Sequence, residues 1–233
     1  MNLELYTKIK IYFFYLFSLK ERRFFRFLIN NIRFSKSQVY QDLFVIYYSN
    51  LKKGGTFIEI GGGNGKTISN TYLHEKKYKW NGVICEPVRN LQKQIKSIRK
   101  AKLEKRPIGE FSKKNIYFFE NNDPYKSSLK ASKNLLNKYI TDSISLNDLF
   151  KYQKIKKNID YVSIDTEGNE IDIIKKFNFK KYKVNIFTIE HNFNDQKRKK
   201  IFEIMTKNKF KRVYRHLSYM DDWYINQKID ILK

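Results

Sequence analysis

The stretch Thr56-Phe57-Ile58-Glu59-Ile60-Gly61-Gly62-Gly63-Asn64-Gly65 joins an apolar run to a cluster of glycines. Such a junction lets a backbone come close to a ligand, because glycine adopts dihedrals that other residues avoid and has no Cβ to clash. A dinucleotide fingerprint would need a small residue where Lys66 stands, so the pattern for NAD fails. Glu59, two residues before Gly61, offers a carboxylate to an amino group or a water near the loop. Glu86 closes the next apolar run, Val83-Ile84-Cys85-Glu86-Pro87, where a carboxylate can accept both hydroxyls of a ribose. A glycine loop for an amino-acid tail and an acidic strand end for a ribose diol are what S-adenosylmethionine requires. Cys85 reads as a small buried hydrophobe.

The elements that must carry these residues alternate. Thr56 to Ile60 reads as a buried strand, followed by the loop and a helix over Thr67 to Lys77. Asn81 to Cys85 is a second strand, then a helix over Leu91 to Arg99. Leu103 to Ile108 reads as a third strand and Ile116 to Phe119 as an extra hairpin strand. Ser145 and Asp148 have capping-box spacing, which starts a helix at Leu146. Ile159 to Ile164 and Val184 to Ile189 are strands; Glu170 to Phe177 and Gln196 to Asn208 are helices. Two late strands, Phe210 to Tyr214 and Trp223 to Ile225, are close enough in sequence to form an antiparallel hairpin. Strands separated by helices imply a parallel sheet with right-handed crossovers, whose ligands sit beyond the carboxyl ends of the strands.

Composition narrows the class further. Lys plus Arg number 48 against 23 Asp plus Glu, a formal net charge of +25. Hydrophobic content of 41% with 16% aromatic excludes a disordered polyelectrolyte. One cysteine excludes a disulfide framework and a multi-cysteine zinc site. Most of the basic residues are lysine, spread over the whole chain, whereas base-edge and bidentate phosphate readers lean on arginine. The charge therefore reads as a solvated lysine coat rather than a nucleic-acid footprint. Such a coat attracts anionic substrates or anionic membrane surfaces and is screened by salt.

The segment Lys8 to Phe34 is distinct. Its apolar run, Ile9 to Leu19, falls short of the roughly 20 residues a membrane span needs. It lacks a small-residue cleavage site, which argues against a signal peptide. Phe24, Phe25, Phe27, Leu28 and Ile32 then mix with Arg22, Arg23, Arg26 and Arg33. A basic aromatic helix of this kind lies on a membrane surface, or packs on the main domain or a second subunit; packing is the favoured expectation. The organisation is a helical arm over residues 1–36 and one domain over 37–233.

Several blocks, in order, resemble the FkbM-type methyltransferases. They are Ser37-Gln38-Val39-Tyr40-Gln41-Asp42, Phe57 to Gly65 with Thr67, Ser69, Asn70 and Thr71, and Gly82 to Pro87. Ser145 to Leu149, Ile159 to Gly168, Ile189-Glu190-His191-Asn192 and Asp222-Trp223-Tyr224 complete the series. The loop departs mildly, with Gly62 and Gly63 where the family often has Ala and an Asn or Ser. The resemblance implies a class I methyltransferase fold: an α/β, Rossmann-like three-layer sandwich with a mostly parallel seven-stranded sheet and an antiparallel edge hairpin. It implies S-adenosylmethionine as donor, O-methylation, and an acceptor such as a sugar, sugar nucleotide or lipid-linked glycan of surface polysaccharide synthesis. On its motif blocks Gln38, Asn64, Asn70, Pro87 and Asp165 join Glu59, Gly61, Gly63 and Glu86 in the cofactor set. The cytoplasm, with contact at the inner membrane face through the arm, is the expected location, and a homo-oligomer is compatible with it. An RNA methyltransferase, or a non-catalytic basic membrane-associated binding protein, are the alternatives.

Sugar hydroxyls are poor acids, so methylating one needs a base or a metal beside it. Asp165 and Glu167 follow one strand; Glu190, His191 and Asn192 end the next. With a pKa near working pH, His191 is the expected general base, oriented by Asp165 or Glu190. In the rival mechanism Asp165, Glu167 and Glu190 hold a divalent cation that acidifies the hydroxyl. Against both stands the plain structural role: carboxylates capping the following helix and a histidine bonded at a strand end. His74 and His216 have no convergent partners in sequence and read as structural.

Overall fold

The computed structural model describes residues 18–131, 134–155 and 157–228. The apolar run Ile9 to Phe17 of the expected arm lies outside them. Ser18 opens helix α1 (Leu19–Asn31) with a capping box: Ser18 Oγ accepts from the Glu21 amide, and the Glu21 carboxylate accepts from the Ser18 amide at 2.8 Å. Phe24 of α1 is fully buried, with its ring 4.4 Å from Tyr214 and 6.3 Å from Phe44 of α2 (Gln41–Tyr48). The described part of the arm is thus packed on the domain through Phe24, with Phe25, Phe27 and Leu28 partly buried beside it. Among the described residues no helix is long and apolar enough to cross a membrane.

The main chain then runs through β1 (Thr56–Ile60), α3 (Tyr72–Tyr78), β2 (Asn81–Cys85), α4 (Arg89–Ile98) and β3 (Lys102–Glu104). Next come β4 (Ile108–Gly109), β5 (Lys113–Asn121), β6 (Leu135–Ser145) and α5 (Leu146–Tyr152). The chain closes with β7 (Asn158–Ile164), α6 (Glu170–Lys176), β8 (Lys183–Glu190), α7 (Asp195–Lys207), β9 (Phe210–Val213) and β10 (Asp221–Asn226). The seven-stranded sheet has the order β3-β2-β1-β7-β8-β10-β9. Its first five strands are parallel, and β10 runs antiparallel to both β8 and β9, as the sequence pattern implies.

Successive residues of the central strands supply two cores. Phe57, Tyr161 and Ile186 pack on one face with Phe24, Phe44 and Trp223. Their neighbours Ile58, Val162 and Phe187 pack on the other with Val83, Ile174 and Met205. Side chains alternate along a strand, and a sheet covered on both faces buries successive positions, hence mostly apolar runs in which Glu59, Ser163 and Thr188 are buried polar exceptions. The strand order reverses between β1 and β7, which opens a crevice at their carboxyl ends.

Two expectations need correction and a third, the hairpin strand at Ile116 to Phe119, holds within a longer strand. The helix after the glycine loop begins at Tyr72 rather than Thr67, because side chains described below hold residues 64–71 as a bonded loop. The third strand stops at Glu104; Pro107, which has no amide hydrogen to give a ladder, separates it from β4. The extra hairpin strand is one part of a second sheet, ordered β4-β6-β5. In it the eleven-residue β6 pairs antiparallel with β5, setting Tyr117 opposite Ile140. β6 reads poorly as a strand because only its last three residues are buried.

Candidate functional site

Gly61 follows β1 with φ of 82°, and its amide donates to the Cys85 carbonyl at 3.0 Å. A Cβ on Gly61 would overlap the Asp165 carbonyl oxygen, so only glycine lets the β1 and β7 ends lie this close. Gly63, φ 53°, lies under the Tyr125 ring, and its amide donates to Glu86 Oε2 at 2.9 Å. The other Glu86 oxygen accepts from the Val88 amide at 2.9 Å. Two backbone donors thus aim a buried carboxylate across the crevice while each oxygen keeps a lone pair free. Burial pushes the Glu86 carboxyl up to about 8 against the pull of those two amides.

Glu59 sits elsewhere than its sequence position suggests. It accepts from Ser69 Oγ at 2.9 Å, the Asn70 amide at 2.6 Å and Thr71 Oγ1 at 2.6 Å. Arg99 lies 3.7 Å from it, and both side chains are buried. Arg99 also donates to the Gly65 carbonyl at 2.8 Å, Thr71 Oγ1 at 2.9 Å and Glu75 Oε2 at 3.0 Å. Glu59 is therefore consumed inside the protein and does not reach the cavity. It shapes residues 65–71 and so presents Asn70, whose Nδ2 donates to Ser163 Oγ at 2.9 Å while its buried Oδ1 has no partner. The Asn64 side chain likewise turns inward on its own loop, accepting from the Lys66 and Thr67 amides, and is absent from the cavity wall.

The crevice is a cavity of about 360 Å³, within the range of small-molecule sites. Gly61, Gly63, Asn70, Glu86 and Pro87 line it from β1, β2 and the loops that follow them; Asp165, Glu167, Glu190 and Asn192 line it from the ends of β7 and β8; Gln38 reaches it from the segment before α2. That segment is fixed by its own motif: Asp42 accepts from Ser35 Oγ, the Lys36 amide and Ser37 Oγ, and Gln41 donates to Asp221 at 2.6 Å. The opposite wall comes from the second sheet and its Pro124–Lys126 turn, with Phe118, Tyr125, Ser127 and Ser128. Nothing in the sequence marked these residues, because β6 was not legible as a strand.

His191 is the main departure. Glu190 and Asn192 line the cavity, but His191 between them does not. The alternation of an extended strand end turns it to the other side, where its ring lies 6.4 Å from Phe193. Burial lowers its pKa, with the Asp222 charge opposing. His191 thus stands off the cavity wall, with both ring nitrogens buried and unpartnered among the described residues, and the wall carboxylates rather than this ring face a ligand there. The expected carboxylate trio also changes. Asp165, Glu170 and Glu190 bring oxygens within 4.8 Å of one another, with Glu170 in the place given to Glu167. Glu167 still lines the cavity, with φ of 56°. Glu170 Oε1 accepts the Thr166 and Gly168 amides at 3.0 Å each and so sets the turn carrying Asp165 and Glu167.

Carboxylates this close cannot all ionise cheaply. Burial and then the Glu190 charge push Asp165 well up; burial and then Glu167 push Glu190 up to about 8. Burial raises Asp221 to about 7. The cavity wall thus carries five carboxyl groups, Glu86, Asp123, Asp165, Glu167 and Glu190, against Lys126, inside a strongly basic chain, and a positive charge among them would favour their ionised forms. A cationic ligand suits it. S-adenosylmethionine fits on the protein's own features: backbone room at Gly61, an aimed carboxylate at Glu86, an unpartnered acceptor at Asn70 and an acidic surround for a sulfonium.

Similarity to solved structures is remote. The FkbM methyltransferase of Methylobacillus flagellatus aligns at 10% identity and a TM-score of 0.49, over 85% of this chain and 59% of its own. The chain thus spans less than two thirds of that protein's length. A precorrin-6y C5,15-methyltransferase of Geobacter metallireducens aligns at 11% identity and a TM-score of 0.41, over 73% of this chain and 71% of its own. No curated protein matches the sequence. The profile described as the methyltransferase FkbM domain matches residues 59–233, from Glu59 on β1 through the hairpin. That span holds the glycine loop, Glu86 and the whole acidic cluster, and on it the chain belongs to the FkbM methyltransferase family.

Proposed function

We propose that this methyltransferase transfers the methyl group of S-adenosylmethionine to a hydroxyl of a sugar or related small molecule, in the assembly of a surface polysaccharide or other glycan. The observation that carries the reading is one cavity lined both by a ribose-type carboxylate, Glu86, after β2 and by carboxylates suited to accept a proton, Asp165 and Glu190, at the ends of β7 and β8. S-adenosylmethionine, when bound, supplies a methyl group already activated on a positive sulfur. The protein's share is then to hold the acceptor in line and to receive the hydroxyl proton. Glu190 suits the role of proton acceptor, because it faces the cavity and burial raises it to about 8, near the pH at which a base must work. Asp165 stands beside it, with an oxygen within 4.8 Å and its own carboxyl pushed well up by burial and then by the Glu190 charge. Glu86, Asn70 and the Gly61–Gly63 backbone hold the donor, with the Tyr125 ring over Gly63, and Ser127 and Ser128 face the acceptor.

The acceptor class rests on the family resemblance and on charge. A coat of +25 draws in an anionic molecule such as a sugar nucleotide or lipid-linked glycan. The same coat, with the basic face of α1, supports work in the cytoplasm against an anionic membrane surface. The test is methyl transfer to a panel of nucleotide sugars and glycan fragments, read by mass spectrometry. A mass gain of one methyl on a sugar supports the reading. No gain on any sugar, with transfer to another class of molecule, overturns the acceptor; absence of S-adenosylmethionine binding by calorimetry overturns the whole.

A further inference from the structure

Lys197 reaches the acidic cluster from the first turn of α7, and nothing in the sequence singles it out from the many other lysines. Asn194 caps that turn, its side chain accepting from the Lys197 amide at 2.9 Å, which fixes where the lysine leaves the helix. The Lys197 ammonium lies 2.7 Å from Glu170 Oε2 and 3.7 Å from Glu190 Oε2. Its side chain is only 13% exposed, and Glu170 is completely buried. A lysine in such surroundings is rare unless paired. Here it pairs with two of the three carboxylates whose geometry would otherwise hold a divalent ion.

We propose that Lys197 is the built-in counter-cation of this cluster and the positioning residue for Glu190, so that methyl transfer proceeds without a bound metal. Two links carry the proposal. Through Glu170, whose other oxygen takes the Thr166 and Gly168 amides, Lys197 is tied to the turn that carries Asp165 at the end of β7. Through Glu190 it is tied to the end of β8. One ammonium thus joins the two strand tips that form the acidic end of the cavity, as a bridging metal would. A divalent ion entering the cluster would face the repulsion of a fixed positive charge a few ångströms away and would have to displace it. The inference rests on reading Asp165 and Glu190 as the place where the acceptor's proton goes.

The experiment compares the wild type with Lys197→Met and Lys197→Arg by three measurements: Mn²⁺ titration calorimetry, S-adenosylmethionine affinity, and turnover with and without EDTA. The wild type is expected to show no Mn²⁺ heat and no change in turnover on chelation. Lys197→Met should bind Mn²⁺ and keep its S-adenosylmethionine affinity. Its turnover at saturating substrates should fall between about tenfold and a hundredfold, as for a misplaced catalytic group. Lys197→Arg, which keeps the charge, should exclude Mn²⁺ and recover part of the turnover. Wild-type turnover lost in EDTA and restored by Mn²⁺ would overturn the proposal, as would a Lys197→Met protein with unchanged turnover and no metal binding. If Lys197→Met does not fold, the wild-type and Lys197→Arg arms still decide. The calorimetry needs no acceptor, so the counter-cation idea can fail while methyl transfer stands, and the reverse.

Discussion

Glu59 and Arg99 face each other at 3.7 Å with both side chains buried, and together they fold the loop that presents Asn70 to the cavity. Neither contacts the cavity itself. The pair is a hidden frame: β1 supplies the carboxylate, the end of α4 supplies the guanidinium, and four groups of residues 65–71 hang between them. Replacing Arg99 with Ala removes the ion-pair partner of buried Glu59 and leaves Glu75 with Lys76 alone. It should cost about 3–5 kcal/mol of stability, the usual effect of breaking a buried pair. Arg99→Lys keeps one charge but not the several directed bonds, and should be intermediate in urea denaturation. An Arg99→Ala protein as stable as the wild type would contradict the frame.

Glu86 gives a sharper test, because its folded pKa is raised to about 8, above the ordinary carboxylate range near 4. A carboxyl raised in the folded state stabilises the fold fully only below its unfolded pKa, and this contribution is lost as pH rises through the folded pKa. The stability of wild type minus that of Glu86→Gln should therefore fall as pH is raised from about 5 to about 8 in the ligand-free protein. Calorimetry of the same pair should show the opposite ranking for function: Glu86→Gln binds S-adenosylmethionine more weakly, by roughly 1–3 kcal/mol for a lost buried hydrogen-bonding group. A pH-independent stability difference would mean the carboxylate is better solvated than its burial indicates.

Gly61→Ala should prevent correct folding or shift the melting temperature down by several degrees. A Cβ there meets the Asp165 carbonyl, and the φ of 82° is strained for any other residue. Gly54, also at positive φ but with open space around it, is the control and should tolerate alanine with a small loss. Equal melting temperatures for the two variants would refute the close approach of β1 and β7.

Glu190→Gln and His191→Gln separate the two candidates for the base. The first removes the proton acceptor on the cavity wall and should lower turnover by about a hundredfold or more, the usual range for general-base loss. The second alters a ring on the far side of the strand end and should stay within about tenfold. Cofactor affinity, measured alongside, should be near normal in both. The reverse order of turnover would return the role to His191.

The sequence was most legible where one physical rule acts alone. β1, β2, β7 and β8 are buried on both faces, so their apolar runs announce them, and Gly61 is visible because no other residue could stand there. Legibility failed where polar residues serve the interior. Glu59 reads as a ligand contact, yet its oxygens are spent on Ser69, Asn70, Thr71 and Arg99. His191 sits in the right block but the wrong side of a strand end, and strand alternation across a terminus cannot be phased from residue types. Glu170 reads only as a helix start, and Lys197 is one lysine among many. The second sheet was legible only at Ile116 to Phe119, because just the last three residues of β6 are buried and the rest carries Asn, Lys, Thr and Asp.

That second sheet divides the cavity between two kinds of scaffold. The donor end is built from the buried ends of β1 and β2, where almost any change disturbs the core. The facing wall includes the hairpin turn that carries Ser127 and Ser128, packed through Phe118 on Val88 and Leu91 in a small cluster of its own. Selection can therefore rework the hairpin, residue by residue, while the donor half stays fixed. New acceptors would be acquired by drift on a surface appendage, with no need to reinvent the methyl-transfer chemistry.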